Sequence, residues 1–149
     1  MPFKITLTND HIINAQKNVL AGVVKKGPTN VVFDFSYNNR KNEVFVDLGF
    51  FILEIIPHIP NGVLVIFSSY SILSACKHVW TVDDRKILDC IGLEKEVIFE
   101  PKNTMEMDEA MKRYCRIAST KKGAILFAVC RGKIRYFIYF FFIYLFKLN

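Results

Sequence analysis

The chain has 149 residues, 52% of them hydrophobic, and a net charge of +6 from 20 Lys and Arg against 14 Asp and Glu. That length suffices for one domain with a real core, and the positive balance points weakly to anionic partners such as nucleic acid. The four cysteines (Cys76, Cys90, Cys115, Cys130) lie far apart with no C-x-x-C, and the three histidines are scattered, which excludes zinc-ligand and iron–sulfur spacing.

The opening MPFKITLTND has no apolar stretch ahead of a small-residue cleavage site. No secretory leader is expected, and the thiols are expected to be reduced, as in an intracellular protein. Residues 19–24 (VLAGVV) form an apolar run closed by KKGP, which predicts a strand ending in a turn at Gly27–Pro28, extended by Thr29 and Asn30. SYNNRKN, residues 36–42, predicts a polar loop. Over residues 43–56, Val44, Leu48, Phe51, Ile52, Ile55 and Ile56 make a broad apolar face, so a helix is predicted, stopped by Pro57 and Pro60.

Residues 63–67 (VLVIF) follow Asn61–Gly62 and predict a strand covered on both faces. Ser68 and Ser69 then offer N-cap oxygens to a helix with Tyr70, Leu73, Cys76 and Trp80 on one face. Residues 97–99 predict another buried strand, ending at Glu100–Pro101. Asn103 with Glu106 resembles a capping box, and Met107, Met111, Tyr114 and Ala118 share the face of the helix that follows. Lys121–Lys122–Gly123 closes that helix, and residues 124–129 predict the last buried strand.

Strands that read as solid apolar runs between helices predict an α/β fold with a parallel sheet. Ligands of such sheets sit at the carboxyl ends of the strands. Two loops qualify: Ser68–Ser69–Tyr70, and Cys130–Arg131–Gly132–Lys133. The first offers hydroxyls and free N–H groups at a helix start, suited to one backbone phosphate; an ordinary N-cap is the plainer alternative. The second puts two cations around a glycine that lets a ligand approach, or it is a surface turn. The pairs Lys25–Lys26, Arg40–Lys41 and Lys121–Lys122 read equally as solvated loop charge. Neither loop carries a carboxylate to hold Mg²⁺ or position a water, so no catalytic residue and no metal ligand is predicted. Trp80 and the methionines are expected in the core, His58 in a loop, and Cys130 as a structural thiol at a strand end.

Four segments carry a resemblance. GAILFAVCRGK (123–133) resembles motif V of the iron–sulfur helicases related to the xeroderma pigmentosum group D helicase, which continue as S-E-G-I-D-F. IPNGVLVIFSSYSILSACKHVW (59–80) resembles the segment around their motif IV, with Ser68 where relatives often have Pro and Ser69–Tyr70 intact. VIFEPKN (97–103) resembles their F-V-E-P-R/K strand, and NDHIINAQKNVLAGVVKKGP (9–28) resembles the opening of their second motor domain. The last match favours the telomere-elongation-regulator branch over the Fanconi anaemia group J branch.

The resemblance implies an incomplete RecA-like parallel sheet with flanking helices: the N-terminal half of motor domain two of an ATP-dependent DNA helicase of the telomere-maintenance and repair type. It implies Ser69, Tyr70, Arg131 and Lys133 as nucleic-acid-binding residues, and Arg131, Gly132 and Lys133 as the loop coupling DNA contact to the nucleotide cleft. DNA, the first motor domain of the same protein and a nuclear location are implied with it. The full-length family uses ATP, Mg²⁺ and a 4Fe-4S cluster. This sequence has no G-x-x-x-x-G-K-[ST], no D-E-A-H-like box and no arginine motif, so no cofactor is expected to bind it and inactivity alone is expected. A non-enzymatic nucleic-acid-binding or interaction module is the alternative.

The resemblance covers residues 1–134 as a partial motor domain and stops at residues 135–149, a tail of aromatic composition. From Tyr136 to Phe146 the run is unbroken for eleven residues, which as a helix rise about 16 Å against the roughly 30 Å of a bilayer core. No membrane partner is expected. Phe, Tyr, Ile, Leu, Lys and Asn are what an A/T-rich non-coding stretch would encode, so the tail is expected to be read-through rather than an evolved segment; an anchor or interaction strand is the alternative. A parallel sheet cut at this point is expected to fold marginally and to aggregate.

Overall fold

The apolar periodicity of the middle of the chain folds largely as predicted. The computed structural model describes residues 20–130. Its helices are α1 (Asn42–Ile55), α2 (Tyr70–Val82), α3 (Ile87–Glu94) and α4 (Thr104–Ala118); its strands are β1 (Gly62–Phe67), β2 (Glu96–Phe99) and β3 (Ala124–Val129). Short 3-10 turns at Tyr37–Asn39 and Ile56–His58 flank α1, the second with Pro57 at its start, where a missing N–H costs no helical bond.

The strands form a parallel three-stranded sheet in the order β1-β3-β2. Gly62 pairs with Ala124 and Phe67 with Val129 on one side; Glu96 pairs with Ala124 and Phe99 with Phe127 on the other. All six residues of β3 are buried. Its Ile125, Phe127 and Val129 face a core built with α1, α2 and α3, while Ala124, Leu126 and Ala128 face Met107, Met111, Tyr114 and Ala118 of α4. Small alanines on that second face let α4 lie close to the sheet. Each large apolar side chain buried this way contributes on the order of 1.5–3 kcal/mol.

The larger core centres on Trp80, whose ring lies 5.4 Å from Phe127 and 6.4 Å from Phe67, centroid to centroid. Burial would leave the indole N–H unsatisfied, but it donates to the Phe45 carbonyl of α1 at 2.7 Å. Gly49, one turn on, makes room: a Cβ there would stand 2.7 Å from Trp80 Nε1 and 2.7 Å from Ile87 Cγ2.

Two expectations are corrected. Of residues 19–24, expected as a strand, Val19 lies outside the described residues and residues 20–24 have no regular structure, with Leu20 and Val23 100% and 89% exposed. No strand lies beside them among the described residues, and an apolar run without a partner has no ladder to join; only Lys26 and Val32 form an isolated antiparallel bridge. The predicted turn is present: Asn30 N–H donates to Gly27 O at 3.0 Å, and Asn30 takes φ 68°. Second, β1 is covered on one face only. Leu64 and Ile66 are 40% and 46% exposed: among the described residues β1 lies at the edge of the sheet, and α4 does not cover it fully.

Gly49→Ala tests the Trp80 contact. Alanine is the better helix former by about 0.5–1 kcal/mol, yet the clash is expected to dominate, with a net loss of roughly 1–2 kcal/mol. Urea denaturation of the full chain, followed by Trp80 fluorescence, measures it; an unchanged or raised midpoint would show that the helices separate without cost.

Candidate nucleic-acid interface

At the carboxyl end of the sheet, β1 gives way to α2 through Ser68 and Ser69. Ser69 is the N-cap, extended at φ −156° and ψ 158°, and its Oγ accepts the Ile72 N–H at 3.4 Å. The Ser71 hydroxyl lies 3.2 Å from Ser69 Oγ. The N–H groups of a first helical turn have no acceptor within the helix, so this end presents donors and a partial positive charge. Ser68 is exposed and Ser69 half-buried, which leaves the hydroxyls within reach of solvent.

β3 ends beside this helix start. Its successor, Cys130, donates its N–H to the Phe67 carbonyl at 2.8 Å, directly before Ser68. Arg131, Gly132 and Lys133 lie outside the described residues; the chain reaches them from a point bonded to the tip of β1. Lys121 and Lys122 precede β3 and therefore sit at the opposite edge of the sheet, where Lys122 Nζ donates to Gly92 O at 2.8 Å. A six-residue strand spans roughly 17–20 Å, so that pair and Ser69 cannot serve one small ligand. Arg40 is committed as well, donating to Phe35 O at 2.8 Å and lying over the Tyr37 ring.

Tyr70, predicted as a nucleic-acid contact, turns its hydroxyl inward. It donates to Glu100 Oε1 at 2.6 Å. Glu100 is only 5% exposed, and its Oε2 accepts the Val129 N–H at 2.7 Å. Burial and the neighbouring Glu100 push the Tyr70 phenol from its ordinary 10.0 up to about 12. Sequence reasoning placed Glu100 only as the end of a strand. The signal available was a carboxylate before a proline at the tip of a buried strand, where any charge must find donors.

The described residues do not fit a metal ion or an iron–sulfur cluster. No three of their His, Cys, Asp and Glu side chains converge. Cys76 is fully buried, and burial pushes its thiol up to about 12, away from the thiolate a metal needs. The buried carboxylate oxygen that lacks a partner, Asp47 Oδ2, lies against Gly27 rather than at either loop.

A parallel α/β sheet with a phosphate-sized helix terminus at its carboxyl edge is common to many proteins, and comparison with known ones narrows it. Residues 52–136 match the family described as the helicase C-terminal domain. The chain belongs to this family. It is also 34% identical over 137 residues to the regulator of telomere elongation helicase 1 homologs of Anopheles gambiae and Aedes aegypti, and 33% identical over 145 residues to that of Oryza sativa subsp. japonica. Each match covers 90% of this chain but only 13–14% of the relative. The helicase C-terminal domain assignment takes in all three strands and α2, α3 and α4, with both loop bases and Glu100.

The Tyr70 environment makes a pH prediction. Its phenol is held neutral by the fold, so the associated stability is fully present below pH 10 and is lost as pH rises through about 12. Urea midpoints measured from pH 9 to 12 are expected to fall, and to fall less in Tyr70→Phe. An equal fall in both would show that other groups govern the alkaline limit.

Proposed function

We propose that this chain acts as the nucleic-acid-gripping part of a helicase motor domain of the telomere-elongation-regulator type, binding the sugar–phosphate backbone of single-stranded DNA at the carboxyl edge of its sheet. The observation that carries this reading is the Cys130 N–H bond to the Phe67 carbonyl at 2.8 Å, which ties the base of the Arg131–Gly132–Lys133 loop to the base of the Ser69 helix start. One phosphate is held by the Ser69 hydroxyl and the first N–H groups of α2, and the next by Arg131 and Lys133. Tyr70 contributes its ring and backbone, since its hydroxyl donates to Glu100.

In this reading residues 1–134 are the motor-domain part and residues 135–149 take no share in binding. ATP, Mg²⁺ and the iron–sulfur cluster are handled by a first motor domain of the same protein, and the work is nuclear. The chain as given turns over no ATP, because nothing in it has the groups that perform phosphoryl transfer. The family membership supports the helicase frame, and the geometry of the two loop bases supports the phosphate contacts.

Oligo-dT binding to the full chain, followed by fluorescence anisotropy across salt, tests the reading. The log of the binding constant is expected to fall linearly with log salt, and Arg131→Ala to reduce the slope by about 0.7, one single-strand phosphate contact. Ser69→Ala is expected to weaken binding about tenfold or more, on the order of 1.5–3 kcal/mol for one lost hydrogen bond to a charged group. Binding indifferent to salt would sink the proposal, as would ATP turnover by the chain that Lys133→Ala abolishes.

A further inference from the structure

β2 leaves the ladder early. Glu100 N–H still donates to Phe127 O at 2.8 Å, but Pro101 follows and the backbone turns away. Val129, two residues further along β3 and 2% exposed, would then have an N–H with no strand beside it. The Glu100 side chain supplies the missing acceptor through Oε2 at 2.7 Å, while Oε1 takes the Tyr70 hydroxyl at 2.6 Å. Among the described residues this carboxylate therefore touches the tip of β3 and the first residue of α2 at once, from the end of β2. Cys130 N–H, the next donor along β3, closes the set on the tip of β1.

We propose that Glu100 is a positioning residue that clasps the bases of the two interface loops into one unit, so that a load on one is felt at the other. It acts through Tyr70 and Val129 and does not itself touch nucleic acid. Charge-assisted bonds of this kind, shut away from water, are short and strong, and each oxygen has a separate task. Because one carboxylate serves both sides, the position that suits one bond is set in part by the other, and loosening either weakens the other. The transmission of load rests on the nucleic-acid reading above; the clasp itself does not.

Amide hydrogen exchange at Val129 in the full chain tests both parts separately. Tyr70→Phe removes one oxygen and keeps the ring, so the fold is retained; Val129 exchange is expected to rise about tenfold although Val129 and its acceptor are untouched. Glu100→Ala is expected to raise it at least as far, and the double variant no further than Glu100→Ala. Val129 exchange unchanged in Tyr70→Phe overturns the clasp, and so does a double variant that adds the two effects. With oligo-dT, Val129 is expected to slow in the unsubstituted chain and to lose that response in Glu100→Ala while the oligonucleotide still binds. An equal response in both overturns the transmission. If the unsubstituted chain binds no oligo-dT, the nucleic-acid reading fails, and exchange without DNA still decides the clasp.

Discussion

Everything described here hangs on β3. It is the only strand with neighbours on both sides among the described residues, and every one of its residues is buried. Take it away and β1 and β2 have no contact, α4 loses the alanine-lined face it rests on, and the larger core loses Phe127. A parallel strand in this position must be apolar throughout, since neither face meets water. Such a strand has no side chain to spare for chemistry. Chemistry is confined to its tip, where the backbone first becomes available.

That confinement explains the arrangement of the carboxyl edge. The polar groups there are few, and each has a partner: Ser69 in the helix it caps, Tyr70 and Val129 in Glu100, Cys130 in Phe67. A set of this kind is held in place because each group is bonded to a neighbouring strand or helix. The opposite edge carries contacts of another kind. Lys95, 4% exposed, reaches the Asn61 carbonyl at 3.1 Å, and Arg113 pairs with Glu96 on the surface. Those contacts seal turns.

Much of this was legible from residue order. Helices α1, α2 and α4 announce themselves by apolar spacing at 3.6 residues, and β3 by an apolar run between a glycine and a basic loop. The Ser69 cap was legible because few residue types end a strand and begin a helix. Helix α3 was not anticipated: it spans two turns, and only Ile87 and Ile91, four apart and both buried, mark it. The run at residues 20–24 looked like β1 and β3 because an apolar run does not say whether a partner strand exists. The same blindness made an edge strand, β1, look like a central one. Glu100 was missed for a related reason. A buried charge is defined by what surrounds it in three dimensions, and its partners lie 30 and 29 residues away.

The strand order has a consequence in time as well as in space. β1 and β2 are each made before β3, yet neither pairs with the other. During synthesis from the N-terminus, a nascent chain that has not yet produced Ala124 can form α1, α2 and their mutual contacts, but none of the sheet described here. Val63, Phe67 and Ile98 stay without their β3 neighbours for that whole interval. The molecule's most vulnerable state is therefore a scheduled one, and whatever holds β1 and β2 apart from other chains until β3 arrives determines how much of the protein ever reaches this fold.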